Sequence, residues 1–171
     1  MKNAGMGGFF MHARGGLKTP YLSKEYLDCV SVSVREAVKL GMHAYLYDEN
    51  GWPSGFADGK VCALGEEYHQ KYLRFGKEVP ETQSNRVIAL YDENYQLLPR
   101  GSQVFAYVAW YEVNPFYVDN MDKKVVQSFI ANVHNYYWNN LPEDVRENLC
   151  GIFTDEPQTV RKTTLSDPFS S

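Results

Sequence analysis

The feature that most constrains this chain is a strand–helix–strand pattern near its start. The segment "GGFFMHAR", Gly7 to Arg14, is an apolar run that ends in polar residues. The segment "SKEYLDCVSVSVREAVKLG" follows and places Leu27, Val30, Val34, Ala37 and Val38 on one face of a helix of about five turns. Ser23 suits the N-cap, and Tyr26 three residues on makes this less than a full capping box. Gly41 suits the position just past the helix end, where a left-handed backbone is common. The segment "HAYLY", His43 to Tyr47, is a second apolar run. A helix between two strands carries the chain back across the sheet, so the two strands are expected to pair in parallel.

The same pattern returns near the end. Val125, Val126, Phe129, Ile130, Val133, Tyr136 and Tyr137 form an apolar helical face, with Asp119 or Asn120 as the expected cap and Pro142 as the stop. A third buried strand is expected over Leu149–Thr154. Between the two patterns, from about Pro53, long helical faces are missing. The segments "KYLRFGKEV", "RVIALYDENYQLLP" and "QVFAYVAWYEV" read as an antiparallel meander, an inserted β module, with "VCALGEEYHQ" as a short helix or loop before it.

Each of the three apolar strands ends in residues that carry chemistry: His12 and Arg14, then Asp48 and Glu49, then Asp155 and Glu156. Ligands of parallel α/β proteins bind at the carboxyl ends of strands, so these six are expected on one rim. The loop "GWPSG" after Glu49 adds Trp52, a ring that either stacks on a flat ligand or anchors the loop. His12 and Arg14 stand two apart and share a strand face, which suits hydrogen bonding to a sugar or holding a carboxylate. Asp48 and Glu49 suit sugar hydroxyls or calcium, which takes hard oxygen ligands, or else a capped turn. Asp155 suits a sugar hydroxyl or a cation. Glu156 precedes Pro157, which restricts it to an extended backbone. His134 reads as a helix surface or packing residue. The tetrapeptide Tyr-Asp-Glu-Asn occurs twice, at 47–50 and 91–94, and the second copy reads as a hairpin turn.

Composition narrows the partners. A net charge of −4 without a basic run argues against nucleic acid, whose phosphates call for clustered Lys and Arg. No apolar run approaches the roughly 20 residues of a membrane helix, and the N-terminal residues do not read as a signal peptide. The three cysteines, Cys29, Cys62 and Cys150, are odd in number and widely spaced, so buried thiols in a reducing, cytoplasmic setting are expected. The aromatic content of 15% suits carbohydrate, or a β-rich core.

The segments "GGFFMHAR-GLKTPYLS", "YLYDENGWPSGFADG" and "YVDNMDKKVVQSFI…GIFTDEP" resemble the α-L-rhamnosidase-like glycoside hydrolases, over Gly5 to Gln158. The resemblance implies a partial (β/α)₈ (TIM) barrel with an inserted antiparallel β module. Residues 1–52 would hold barrel strands 2 and 3 with their helix, 53–116 the insertion, and 117–171 a barrel helix, strand 4 and a tail. It implies a hydrolase that cleaves glycosidic bonds with paired carboxylates set about 5 to 9.5 Å apart, Glu156 and Glu49 being the catalytic candidates. His12, Arg14, Asp48, Trp52 and Asp155 would bind substrate, with calcium as a candidate cation. Alternatively the chain is a carbohydrate-binding segment without catalysis, or an inactive remnant. Half a barrel is expected to show little activity by itself and to self-associate through its open sheet edge.

Overall fold

A computed structural model describes residues 1–159; the end of the third expected segment, residues 160–171, lies outside the described residues. Strand β1, Gly8–Met11, leads into helix α1, Lys24–Lys39, and strand β2, His43–Tyr47. The Ser23 hydroxyl accepts from the Tyr26 N–H at 3.2 Å and caps α1. At the other end, the N–H of Gly41 reaches the Val38 carbonyl and that of Met42 reaches the Ala37 carbonyl. This Schellman closure needs the left-handed backbone that Gly41 adopts at φ 60. Leu27, Val30, Val34 and Ala37 are buried, whereas Val38, at the margin of the face, is exposed.

Strand β6, Leu149–Phe153, completes a three-stranded parallel sheet in the order β1-β2-β6. Phe9, Met11, Ala44, Leu46, Leu149 and Ile152 lie on the core side, packed with the apolar face of α1. Phe10, Tyr45, Tyr47 and Phe153 share the opposite side, where neighbouring rings touch with centroids 4.8 to 6.0 Å apart. Full burial of these strands is not what the structure has: Phe10 is 53% exposed and Phe153 41%, while Tyr47 on the same side is fully buried with the His12 ring against it.

The inserted segment forms a second, separate sheet of β3, His69–Gly76, β4, Val87–Tyr91, and β5, Tyr107–Val118. Its order is β3-β5-β4, with both pairings antiparallel. A meander would place β4 in the middle. The long strand β5 takes that place instead, pairing along β3 over Gly76 to His69 and along β4 over Tyr91 to Val87. Two short 3-10 turns, Cys62–Leu64 and Glu66–Tyr68, precede β3.

The fold is therefore not a TIM barrel, whole or partial. The described chain holds two open three-stranded sheets, neither closed, and three parallel strands with free outer edges cannot generate the shear and closure that define a barrel. The long C-terminal helix is also broken. Helix α2, Lys123–Asn132, stops at Val133 (φ −119), and α3, His134–Asn140, begins at the next residue, followed by the short α4, Glu143–Arg146. The cap of α2 is Asp122, whose Oδ1 accepts from the Lys124 N–H at 2.8 Å, not Asp119 or Asn120. Val125, Phe129, Val133 and Tyr137 are buried against the α1 side of the core, while Ile130 and Tyr136 are exposed. The expected burial of all three thiols fails too: Cys29 and Cys150 are exposed and Cys62 is partly buried, all three free. Among the described residues no helix is long and apolar enough to cross a membrane.

Candidate functional site

At the carboxyl end of β2 two carboxylates are taken out of water altogether. Asp48 and Glu49 are both 0% exposed. A buried carboxylate is tolerated only when its oxygens are bonded. Asp48 Oδ1 accepts from the Ser54 hydroxyl at 2.6 Å, and Oδ2 accepts from the Thr154 hydroxyl at 2.6 Å with His134 Nε2 at 3.3 Å. These contacts tie β2, the loop after it, α3 and the end of β6 to one group.

Glu49 is held by backbone alone. Its Oε1 accepts from the N–H of Asn50 (2.9 Å) and Asp58 (2.6 Å), and its Oε2 from those of Gly55 (3.2 Å) and Ala57 (2.7 Å). The loop curls round the carboxylate because Ala57 and Asp58 adopt left-handed backbone angles that turn successive N–H groups inward. Gly55 is required here. Its φ is 137, and a side chain would meet Asn120 Oδ1 at 2.9 Å and the Tyr117 hydroxyl at 3.1 Å. Burial pushes the Glu49 carboxyl up to about 7, against the four N–H groups, which act to lower it.

Above this floor lies a half-exposed cluster, with Arg14 and His12 open to water and Asp155 largely covered. Arg14 Nη2 reaches Asp155 Oδ2 at 3.3 Å, and Arg14 Nε donates to His12 Nε2 at 3.1 Å. The His12 ring lies on the Tyr47 ring with centroids 3.7 Å apart. Burial, and then the Arg14 charge, hold the His12 imidazole below its ordinary pKa, with the Asp155 charge opposing. The neutral ring that results is the form able to accept from Arg14. The Tyr47 hydroxyl donates to the Gly51 carbonyl at 2.6 Å and lies 3.4 Å from Asp155 Oδ2; burial pushes it up to about 12. The Asp155 N–H donates to Ser54 Oγ at 2.9 Å, which links the cluster to Asp48 below.

Of the residues singled out by sequence, His12, Arg14, Asp155 and Asp48 thus join one bonded network. Glu49 sits beside it but turns its carboxylate into its own loop. Trp52 is partly buried in that loop. Glu156 is exposed and, among the described residues, makes no side-chain hydrogen bond or ion pair; its φ of 45 is left-handed, not the extended backbone expected before a proline. Sequence reasoning missed Ser54, Thr154 and His134. No local signal marks them, because each reaches Asp48 only through the fold. Among the described residues no group of three or more His, Cys, Asp or Glu is placed to hold a metal ion.

Catalysis by Glu49 and Glu156 as a carboxylate pair has no geometric support. One oxygen pair is saturated and enclosed, whereas a general acid or base must come within hydrogen-bond reach of the substrate. Comparison with protein-family models, with curated proteins and with solved structures finds no match to this chain. With no barrel and no matching family, the resemblance to α-L-rhamnosidase-like glycoside hydrolases does not hold, and the glycoside hydrolase function expected from it is withdrawn.

Proposed function

We propose that this chain binds carbohydrate without cleaving it, at the rim formed by His12, Arg14 and Asp155. The observation that carries this reading is the Arg14–Asp155 pair, set in line with His12 over the Tyr47 ring. Such a pair offers donors and acceptors side by side, the pattern that vicinal hydroxyls match, and charged partners make the stronger hydrogen bonds. The saturated Asp48 and Glu49 beneath hold the rim in place and take no part in binding. Three free thiols favour a reducing, cytoplasmic setting.

The test is calorimetric titration of the protein with cellohexaose, xylohexaose and mannohexaose. At least one is expected to bind without being hydrolysed, and Arg14→Ala is expected to weaken it about 10-fold or more. Affinity unchanged in Arg14→Ala, with the fold intact, would remove the rim from the proposal.

The half-exposed aromatic face of the parallel sheet favours a second reading, self-association. Parallel sheets are ordinarily covered on both faces, and Phe10 and Phe153 are not. Sedimentation should show a concentration-dependent dimer that Phe10→Ser weakens; a monomer at all concentrations would rule it out.

A further inference from the structure

We infer that the second sheet carries a separate carbohydrate site, an aromatic platform of Phe75, Tyr95 and Tyr107 on which a pyranose ring stacks. The ligand class is that proposed for the rim; the site shares no residue with it. The platform is built by the second Tyr-Asp-Glu-Asn copy. Asp92 Oδ1 accepts from the N–H groups of Asn94 and Gln96, both at 2.8 Å, and Tyr95 takes a left-handed backbone at φ 60. That turn lays Tyr95 on Tyr107, with ring centroids 4.7 Å apart and planes within 14°. Phe75 lies 5.6 Å from Tyr107 at 15° and 6.4 Å from Tyr95 at 28°. Tyr91 stands at 59° to Phe75 and closes one side.

The rings are near-parallel and open to water: Tyr95 is 61% exposed and Phe75 53%. Beside them on the same face, Ala109 pairs with both Phe75 and Ala89, so small methyl side chains border the rings on that side. A proline-rich helix docks in grooves between rings; a stepped flat surface matches the C–H face of a sugar instead. Nucleic-acid bases would also stack, but the phosphates they bring need clustered cations. Lys77 acts on Tyr95, no run of Lys and Arg borders the rings in sequence, and the chain carries a net −4.

The experiment is an NMR titration of the full chain with the same three hexasaccharides, following the ring resonances of Phe75, Tyr95 and Tyr107, with decaproline as a comparison. At least one hexasaccharide should shift these rings. Tyr95→Ala should weaken that binding about 3- to 10-fold, while Tyr95→Phe stays within about twofold. Tyr95 is exposed, and an unchanged amide spectrum confirms that each variant folds. Ring resonances unmoved by any of the three saccharides at millimolar concentration, or moved only by decaproline, would overturn the platform. So would Tyr95→Phe weakening binding as much as Tyr95→Ala. Arg14→Ala in parallel separates the two sites: if it abolishes binding while the rings never shift, the rim stands alone; if it changes nothing while the rings shift, the platform stands alone.

Discussion

The tetrapeptide Tyr-Asp-Glu-Asn folds twice in this molecule, in opposite ways. At 47–50 it ends a central strand, and Tyr47, Asp48 and Glu49 are all fully buried. At 91–94 it ends an edge strand, and its Glu93 and Asn94 are exposed. In the first copy the acids gather bonds from a distance: Asp48 from Ser54, His134 and Thr154, Glu49 from four backbone N–H groups. In the second, Asp92 caps only its own turn through Asn94 and Gln96. The same four letters therefore make a buried hub or a solvated turn. What decides is whether the strand before them is central and whether the chain after them returns over the carboxylates. It also divides the labour: the first copy supports the polar rim, and the second raises an aromatic ring over the other sheet.

Substitutions at matched positions should widen this contrast. The largest effect is expected from Glu49→Ala, which strands buried N–H groups and should cost about 3 to 5 kcal/mol in urea unfolding. Its counterpart Glu93→Ala should stay within about 0.5 kcal/mol. Equal costs at the two positions would break the comparison.

The second effect is on pH. A carboxyl raised in the folded state from its ordinary 4.5 to about 7 binds its proton more tightly when folded. The stability it contributes is complete below 4.5 and is lost as pH rises through about 7, a fall approaching 3 kcal/mol. Thermal or urea unfolding across this range should show it. Glu49→Gln should flatten the profile while lowering it throughout, since its amide hydrogens face the loop's N–H groups. Third, Asp48→Asn turns an acceptor into a donor against Ser54, Thr154 and His134, and should cost about 2 kcal/mol; Asp92→Ala, in a turn open to water, should cost about 0.5 to 1 kcal/mol. The smallest contrast is Tyr47→Phe, which loses the hydroxyl bond to Gly51 and should cost about 1 kcal/mol, against less than about 0.5 kcal/mol for Tyr91→Phe. Chemical denaturation measures each pair.

Much of the local structure was legible. Ser23 and Gly41 bracket α1 because capping is a matter of a few adjacent groups, and the apolar periodicity of Leu27, Val30, Val34 and Ala37 needs nothing beyond the helix itself. Parallel pairing of the strands at Gly8 and His43 follows from the helix between them. Less of the site was legible. His12, Arg14 and Asp155 could be placed on one rim because each follows a strand end, but Glu49 turned inward and Glu156 stayed apart. The order of the second sheet was misread, because strand sequence order says nothing about which strand is long enough to pair on both sides.

What the sequence by itself determined are the features that depend on neighbours within a few residues: the caps, the apolar faces, the turn that Asp92 closes and the alternation along each strand. What only the tertiary structure decided are closure and protonation environment. A parallel sheet of three strands and a barrel of eight share the same local pattern, so no window of sequence distinguishes them; the edges that stay unpaired do. Nor can a window show whether an acid will be charged and exposed or buried and bonded. For Asp48 and Glu49 that depended on Ser54, Thr154, His134 and the returning loop, groups up to 106 residues away, because in a water-excluded site the partners that replace water must be brought in by the fold.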